Sequence, residues 1–183
     1  MRRFFCSRSS DLLLFGCGSL ARSLVEGIVH CCYDEEIKIS VATSDLARLD
    51  RMVENIKRNS NFSKKRITIS GAEVCWSSED NISNIIGSTN PKVILNTASL
   101  QSMWNLHEGS AWAAIIKSHG YGISLPFQFS IIRMVVKAAA VVCPETTILN
   151  ACYPDIVNWA AAQNGLQIDG GIGNIALVHH AIS

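Results

Sequence analysis

Short apolar runs alternate with longer amphipathic stretches along most of this chain of 183 residues. Residues 12–15 are apolar without a break, which is typical of a strand buried on both faces of a sheet. Residues 19–30 carry Leu20, Leu24 and Ile28 at the spacing of one helix face. The regular alternation of such segments predicts βαβ units and a mainly parallel sheet.

The same pattern predicts strands and helices in alternation within one domain that spans residues 1–183. The predicted strands are residues 12–15, 37–42, 67–70, 92–96, 147–150 and 166–169. The predicted helices are residues 19–30, 45–56, 80–86, 108–118, 127–142 and 155–163, and a last apolar segment follows at 175–182. The predicted fold class is α/β, with a doubly wound, mainly parallel sheet in three α/β/α layers.

Composition and charge argue against several classes of protein and partner. Hydrophobic residues make up 48% of the chain, which favours a packed domain over a disordered chain. Sixteen basic and fifteen acidic side chains nearly balance, and only residues 64–66 form a basic cluster, so we expect no nucleic-acid partner. No apolar run reaches the roughly 18 residues of a membrane span, so we expect no membrane partner.

The seven cysteines are odd in number and form no C-x-x-C pair. This pattern predicts neither a zinc site nor a disulfide framework, and we expect no bound metal. Most of the thiols lie in apolar stretches, where a free cysteine packs as a small hydrophobic residue. A reducing, cytoplasmic environment is the simplest explanation for free thiols.

The strongest chemical signal is a G-x-G-x-x-A motif between the first predicted strand and the first predicted helix. Its residues are Gly16, Cys17, Gly18, Ser19, Leu20 and Ala21. The first glycine permits a tight turn, the second lets the backbone approach a diphosphate, and the alanine keeps the helix close to the strand. Free amides and the positive dipole at the helix start then face the phosphates. The motif therefore predicts dinucleotide binding, whereas the competing interpretation is a glycine turn used for packing alone.

The end of the second predicted strand is expected to contact the adenosine ribose. Asp45 follows Ala21 at close to the expected spacing of about 20 residues, and a ribose contact from it would favour NAD. Asp45 is also a typical N-cap for the next helix. In that case Thr43, Ser44 and Arg48 would form a pocket for the 2′-phosphate of NADP. The cofactor is therefore predicted to be NADP or NAD, with a slight preference for NADP.

Small polar residues follow the next two strands of the predicted cofactor cleft. Asn96, Thr97 and Ala98 come after the fourth strand, where a cofactor ribose would pass close to the backbone, or where the chain makes a plain turn. Asn150 ends the fifth strand, and we expect its amide to point towards the nicotinamide side of the cleft.

The order of these elements resembles the cofactor-binding half of lactate and malate dehydrogenases. The resemblance is carried by the first glycine motif, by Asn150 with Pro154 and Asp155 after the fifth strand, and by Gly171 and Gly173 near the end. It implies a Rossmann-like fold and hydride transfer between a nicotinamide cofactor and a small carbonyl or imine substrate. It also implies a substrate-binding domain beyond residue 183. The first motif is similar, too, to the opening of pyrroline-carboxylate and saccharopine-type reductases.

The chain departs from the dehydrogenase pattern at the places that would define a substrate. Residues 100–104 contain no arginine, although that family carries paired arginines in the corresponding loop. The spacing from Asn150 to Pro154 differs from the family's, and its catalytic histidine would lie beyond residue 183. The catalytic residues and the substrate therefore stay open.

Several other residues near the expected rim have simpler explanations. These are His107, Glu108, Cys152, Tyr153, His179 and His180. His107 is a candidate acid or base by its residue type alone, Cys152 is a nucleophile only with a lowered pKa, and the adjacent His179 and His180 would point about 100° apart on a helix. Structural roles are favoured for all of them.

Two other functions compete with hydride transfer. The loop from Phe15 to Ser19 partly resembles that of methyltransferases that use S-adenosylmethionine, but Leu14 replaces the acidic residue usual before the first glycine. The domain could instead bind a dinucleotide without catalysis, as a sensor or an assembly module. The apolar segment at 175–182 indicates cover by a further domain or by a second subunit in a homo-oligomer.

Overall fold

The computed structural model describes residues 9–31, 36–59, 66–100, 106–152 and 155–172. Strands and helices alternate along these ranges. The strands are β1 (Ser10–Phe15), β2 (Ile37–Thr43), β3 (Ile67–Glu73), β4 (Pro91–Asn96), β5 (Thr147–Asn150) and β6 (Gly170–Gly171). The helices are α1 (Ser19–Cys31), α2 (Leu46–Asn59), α3 (Glu79–Thr89), α4 (Ala111–His119), α5 (Leu125–Val142) and α6 (Ile156–Gln163), and a short 3-10 helix (Tyr121–Ser124) precedes α5. The predicted segment at 175–182 lies outside the described residues.

The six strands form one parallel sheet in the order β3-β2-β1-β4-β5-β6. Strand β1 lies between β2 and β4, where Leu14 pairs with Val41 on one side and with Leu95 on the other. The chain adds β2 and β3 on one side of β1 and then β4, β5 and β6 on the other. This reversal places a crevice outside the carboxyl ends of β1 and β4, and it confirms the predicted doubly wound sheet.

Helices cover both faces of the sheet. On one face, Val25 of α1 and Met52 of α2 belong to a buried apolar cluster with β1 and β2. On the other face, Ile86 of α3, Ile132 of α5 and Val157 of α6 belong to a second buried cluster. Two clusters with a sheet between them make the three layers that the apolar pattern predicts.

Helix α5 has the most apolar sequence of the described helices. With the residues before it, from Gly122 to Val142, it is long and apolar enough to cross a membrane, with a mean hydropathy of 1.6. Its Ile131, Ile132 and Val135 are completely buried, however, in the cluster on the α3 side of the sheet. The side-chain packing therefore makes α5 a core helix of this fold.

The predicted position of the sixth strand is wrong. The prediction was residues 166–169, whereas β6 consists of Gly170–Gly171. The Leu166 amide donates instead to the Ala161 carbonyl at the end of α6, at 3.0 Å. Asp169 then joins the chain to β5, since its amide donates to the Ile148 carbonyl (2.8 Å) and its Oδ2 accepts from the Ile148 amide (2.7 Å). The pairing of β6 with β5 begins at Gly170, directly after these two hydrogen bonds of Asp169.

The start of the fourth helix also differs from the prediction. We predicted residues 108–118, but α4 begins at Ala111. Ser110 is its N-cap, and its Oγ accepts a hydrogen bond from the Ala113 amide at 3.1 Å. A serine cap satisfies one of the free amides of the first turn, which is why the helix starts here. Glu108 lies in the turn before it and is exposed.

Candidate functional site

The glycine motif forms the turn between β1 and α1 at the crevice. Gly16 adopts a φ of +102°, a conformation that side chains rarely allow, and its amide donates to the Ala42 carbonyl at 2.8 Å. A Cβ added to Gly16 would stand 2.8 Å from Thr97 Oγ1 and 2.9 Å from the Ala98 nitrogen. The turn between β1 and α1 is therefore pressed against the segment after β4, and only glycine fits there.

The start of α1 is open and its first amides are available. Apart from the residues on either side of Gly18, no atom of the described residues lies within 4 Å of the place where a Cβ on Gly18 would be. The first helical hydrogen bond runs from the Arg22 amide to the Gly18 carbonyl, at 3.0 Å. Among the described residues, none accepts a hydrogen bond from the amides of Ser19, Leu20 or Ala21. Free amides and the helix dipole at this opening attract an anion such as a phosphate.

Two other side chains of the motif, those of Cys17 and Ala21, are buried in the core. Ala21 lies on the buried face of α1 and is completely buried, as the motif requires for close packing of helix on strand. Cys17 is buried and its Sγ lies 3.8 Å from Met52 Sδ of α2. Burial raises the pKa of the Cys17 thiol, so this group stays protonated and acts as a packing residue. The charges of Arg48 and Asp45 also act on this thiol, which places the start of α2 beside the glycine loop.

The residues after β2 divide into capping and exposed groups. Asp45 caps α2, since its Oδ1 accepts a hydrogen bond from the Arg48 amide at 2.8 Å. Thr43 is buried, and its Oγ1 accepts from the Asp45 amide at 3.2 Å. The Thr43 hydroxyl thus has a partner within the protein, and its predicted role in a phosphate pocket stays a prediction. Ser44 and Arg48 are exposed and open to a ligand.

The segment after β4 is held against β1 by its own hydrogen bonds. The Thr97 amide and Thr97 Oγ1 both donate to the Phe15 carbonyl, at 2.8 and 2.9 Å. Ala98 is buried, and its amide donates to Asn96 Oδ1 at 3.2 Å. These contacts place Thr97 and Ala98 beside the glycine loop, and the cofactor contact expected of Asn96, Thr97 and Ala98 stays a prediction. Asn96 itself is completely buried, whereas Thr97 is half-buried.

Asn150 occupies a different position from the one predicted. Its side chain is completely buried, with Oδ1 accepting from Asn96 Nδ2 (2.8 Å) and Nδ2 donating to Asn158 Oδ1 (2.6 Å). Its amide therefore does not point into the nicotinamide side of an open cleft. The correction follows from burial, because an amide enclosed between β4, β5 and α6 must pair inside the protein.

Sequence reasoning missed two polar residues that support this region. Asn158 on α6 receives the hydrogen bond from Asn150, and Gln128 on α5 is completely buried with its Nε2 donating to Ser99 Oγ at 2.7 Å. Both are amides within otherwise apolar helical segments. A polar residue on an apolar helix face was the available signal, since buried amides need partners.

The other candidate residues do not form a reactive group at the crevice. Cys152 is buried, and burial raises the pKa of its thiol to about 11, so it is protonated near neutral pH. His107 and Glu108 are exposed before α4. Within the described ranges, no three His, Cys, Asp or Glu side chains lie together as metal ligands. Tyr153, His179 and His180 lie outside those ranges.

A second concave feature lies at the far edge of the sheet. It is an open groove of about 420 Å³ between α6 and β6, and Asn158, Leu166, Ile168 and Gly171 are among its lining residues. In the sheet order, β4 and β5 lie between β6 and β1, the strand that leads into the glycine loop. The glycine loop, with its unpaired amides at the switch point, is the better candidate site because its groups match an anionic ligand.

Comparison with known proteins identifies the fold. No protein-family model and no curated protein matches the sequence. The lactate dehydrogenase from Eimeria maxima, solved with NADH and oxamate, is 18% identical with a TM-score of 0.59, over 93% of this chain and 45% of that chain. The TrkA-N domain of the inner membrane protein ybaL from Escherichia coli is 12% identical with a TM-score of 0.57, over 96% of each chain. The fold is a Rossmann fold.

The matches differ in how much of each protein is covered. A malate dehydrogenase from Plasmodium falciparum, in complex with NADH, is 13% identical with a TM-score of 0.54 over 86% of this chain and 41% of that one. The chain thus spans less than half the length of these dehydrogenases and nearly all of the TrkA-N domain. The predicted similarity to lactate and malate dehydrogenases is confirmed for the fold.

Proposed function

We propose that this Rossmann domain binds NADP or NAD, with the diphosphate at the start of α1. The observation that carries the proposal is the opening at Gly18, where the amides of Ser19, Leu20 and Ala21 have no acceptor among the described residues. Three such donors suit a diphosphate, because the place of a Cβ on the adjacent Gly18 is open. The solved lactate and malate dehydrogenases of the same fold contain NADH, which supports the same class of ligand.

The adenosine end of the site favours NADP over NAD. Oδ1 of the Asp45 carboxylate accepts the hydrogen bond that caps α2, and Ser44, Asp45 and Arg48 are all exposed. A guanidinium and a hydroxyl suit a 2′-phosphate, while a ribose 2′-hydroxyl is usually held by a free carboxylate.

The chemistry proposed for the complete site is hydride transfer between the nicotinamide and a small carbonyl or imine substrate. The cofactor supplies this chemistry, and the domain supplies its binding and orientation. Of the candidates for catalysis, Cys152 is buried with its thiol protonated, and His107 is exposed in the segment before α4. We therefore expect the 183-residue chain alone to bind the nucleotide with little or no turnover.

A second candidate is a nucleotide-binding module without catalysis. The match with the TrkA-N domain of ybaL supports it, because it covers 96% of both chains. The two candidates share the nucleotide site and differ in turnover. Turnover of a small carbonyl substrate with NADPH would exclude the second candidate, whereas binding without turnover in the 183-residue chain is expected from both.

The experiment that tests nucleotide binding is a titration of the full chain with NADPH, NADH and S-adenosylmethionine. Binding is followed by tryptophan fluorescence and by the thermal unfolding midpoint. We expect NADPH and NADH to quench the fluorescence and raise the midpoint, because a ligand that binds only the folded state stabilises it. Binding of S-adenosylmethionine alone would overturn the assignment in favour of a methyltransferase, and binding of none of the three would remove it.

A further inference from the structure

Three asparagine side chains form a continuous buried chain of amides across the carboxyl ends of β4 and β5. Asn96 Nδ2 donates to Asn150 Oδ1 at 2.8 Å, and Asn150 Nδ2 donates to Asn158 Oδ1 at 2.6 Å. Asn96 and Asn150 are completely buried, and Asn158 is half-buried on α6. Buried amides that lose a partner destabilise the protein, so the three side chains are bound to one arrangement.

A backbone amide sets the direction of this chain. The Ala98 amide can only donate, and it donates to Asn96 Oδ1 at 3.2 Å. Asn96 must therefore present its Nδ2 to Asn150, and Asn150 must in turn present its Nδ2 to Asn158. Each amide orientation follows from the one before it, beginning at Ala98.

The same Ala98 is the residue that presses on the glycine loop. A Cβ on Gly16 would lie 2.9 Å from the Ala98 nitrogen and 3.0 Å from its Cα. The position of the Ala98 backbone thus limits where the turn before α1 can lie. The amide chain ends at Asn158, whose Nδ2 stands 2.2 Å from the place of a Cβ on Gly171 in β6.

We infer that Asn96, Asn150 and Asn158 are positioning residues, which hold Ala98 against Gly16 and thereby fix the open form of the glycine loop. The inference rests on the proposed function for its effect on nucleotide binding, and on the hydrogen bonds alone for its effect on Ala98. It assigns to Asn150 an indirect role through Asn96 and Ala98, without contact to the ligand. It also links the diphosphate site, which follows β1, to α6, which follows β5; β4 lies between these two strands in the sheet.

The test changes Asn158, the asparagine at the end of the amide chain farthest from Ala98, which is only half-buried. Asn158→Leu takes away the acceptor for Asn150, whereas Asn158→Asp keeps an oxygen in its place. Asn164→Ala is the matched control, because it removes a hydrogen bond to the Ala160 carbonyl at the exposed end of the same helix (2.8 Å) and leaves the amide chain intact. All three are made in the full chain, and their unfolding midpoints are measured so that stability is compared directly.

Two readouts follow for each variant. Hydrogen exchange of the Ala98 amide, measured by NMR without ligand, should quicken by about tenfold in Asn158→Leu, as expected for loss of one net hydrogen bond. The Kd for NADPH should rise by a similar factor of about ten. Asn158→Asp should restore both values to near those of the wild type, and Asn164→Ala should leave both unchanged.

The outcomes separate this inference from the proposed function. Unchanged Ala98 exchange and unchanged NADPH affinity in Asn158→Leu would overturn the positioning role. Equal losses in Asn158→Leu and Asn164→Ala would overturn it as well, since they would reflect helix stability alone. A wild-type chain that binds no nucleotide would remove the proposed function, and Ala98 exchange would then decide the positioning role by itself.

Discussion

The backbones of Gly16 and Ala98 are in contact at the switch point of the sheet, and a Cβ on Gly16 would lie 2.9 Å from the Ala98 nitrogen. A Cβ on Gly18, two residues further on, would have no atom of the described residues within 4 Å apart from its chain neighbours. The two glycines of the motif therefore have different roles. Gly16 allows two loops of the protein to meet, and Gly18 leaves room for a ligand.

Gly16→Ala should destabilise the fold. The new methyl group would clash with Thr97 and Ala98, and the φ of +102° is strained for alanine. We expect a loss of about 2–3 kcal/mol in the free energy of unfolding. The measurement is urea unfolding followed by circular dichroism, and unchanged stability would show that the contact between the loops is absent.

Gly18→Ala should leave the stability within about 0.5 kcal/mol of the wild type, because its methyl group meets open space. The methyl group would occupy the approach to the amides of α1, so the Kd for NADPH should rise by about tenfold or more. Calorimetric titration of this variant beside the wild type checks the expectation. Normal affinity in Gly18→Ala would place the diphosphate elsewhere.

Arg48→Glu should discriminate between the two nicotinamide cofactors. Arg48 is exposed in the first turn of α2, beside Asp45, which caps that helix, and the proposed 2′-phosphate would lie here. Charge reversal should weaken NADPH binding by about tenfold or more and change NADH binding by no more than about twofold. Lys57→Glu, the same charge change in the last turn of α2, is the control and should affect neither. Equal effects of Arg48→Glu on both cofactors would argue against a 2′-phosphate contact.

Asp11 should give the fold a stabilising contribution that is lost in acid. Hydrogen bonds from Lys92 and from the Lys38 amide hold the pKa of the Asp11 carboxyl below its ordinary value and join β1 to β4 and β2. A lowered folded-state pKa means that the contribution is complete above the ordinary pKa of 3.8 and disappears as the pH falls through the lower value.

The variant Asp11→Asn should therefore be less stable than the wild type at neutral pH, by about 0.5–1 kcal/mol. The difference should shrink as the pH is lowered from about 5 to about 3. Urea unfolding at several pH values measures it. Glu54→Gln, which removes the exposed pair with Arg58, is the control with a smaller effect at neutral pH. A difference that grows in acid would contradict this assignment of Asp11.

Cys152 and Cys75 should differ strongly in reactivity. Cys152 is buried with a thiol pKa of about 11, whereas Cys75 is exposed and its hydrogen bond with Ser77 holds the pKa of its thiol below the ordinary value. Because the thiolate is the reactive form, alkylation near pH 7.5 should label Cys75 well before Cys152, and peptide mass spectrometry gives both rates. Labelling of the unfolded chain in urea is the control. Fast labelling of Cys152 in the native chain would contradict its burial.

Local sequence pattern was sufficient to predict most of the fold. Residues 12–15 and 93–95 are apolar because both faces of the central strands are buried, and the G-x-G-x-x-A motif marks the turn between β1 and α1 by its small residues. The sixth strand was misplaced because β6 is two glycines whose pairing depends on Asp169 and Ile148, residues far apart in sequence.

The site was predicted less completely than the fold. The glycine loop could be predicted because its local backbone geometry dictates its residue types. The position of Asn150 could not be, because whether an amide faces a cleft or a buried partner depends on Asn96 and Asn158, which meet it only in the folded sheet.

The central claim is that the free amides at the start of α1 bind the diphosphate of a nicotinamide nucleotide. The most direct test is NMR titration of the ¹⁵N-labelled chain with NADPH and NADH, following the amide signals of Ser19, Leu20 and Ala21. We predict that these three signals shift and saturate with the ligand, while the amide of Asn164, at the far end of α6, stays in place. Binding that leaves the three signals unmoved, or no binding of either nucleotide, would contradict the claim.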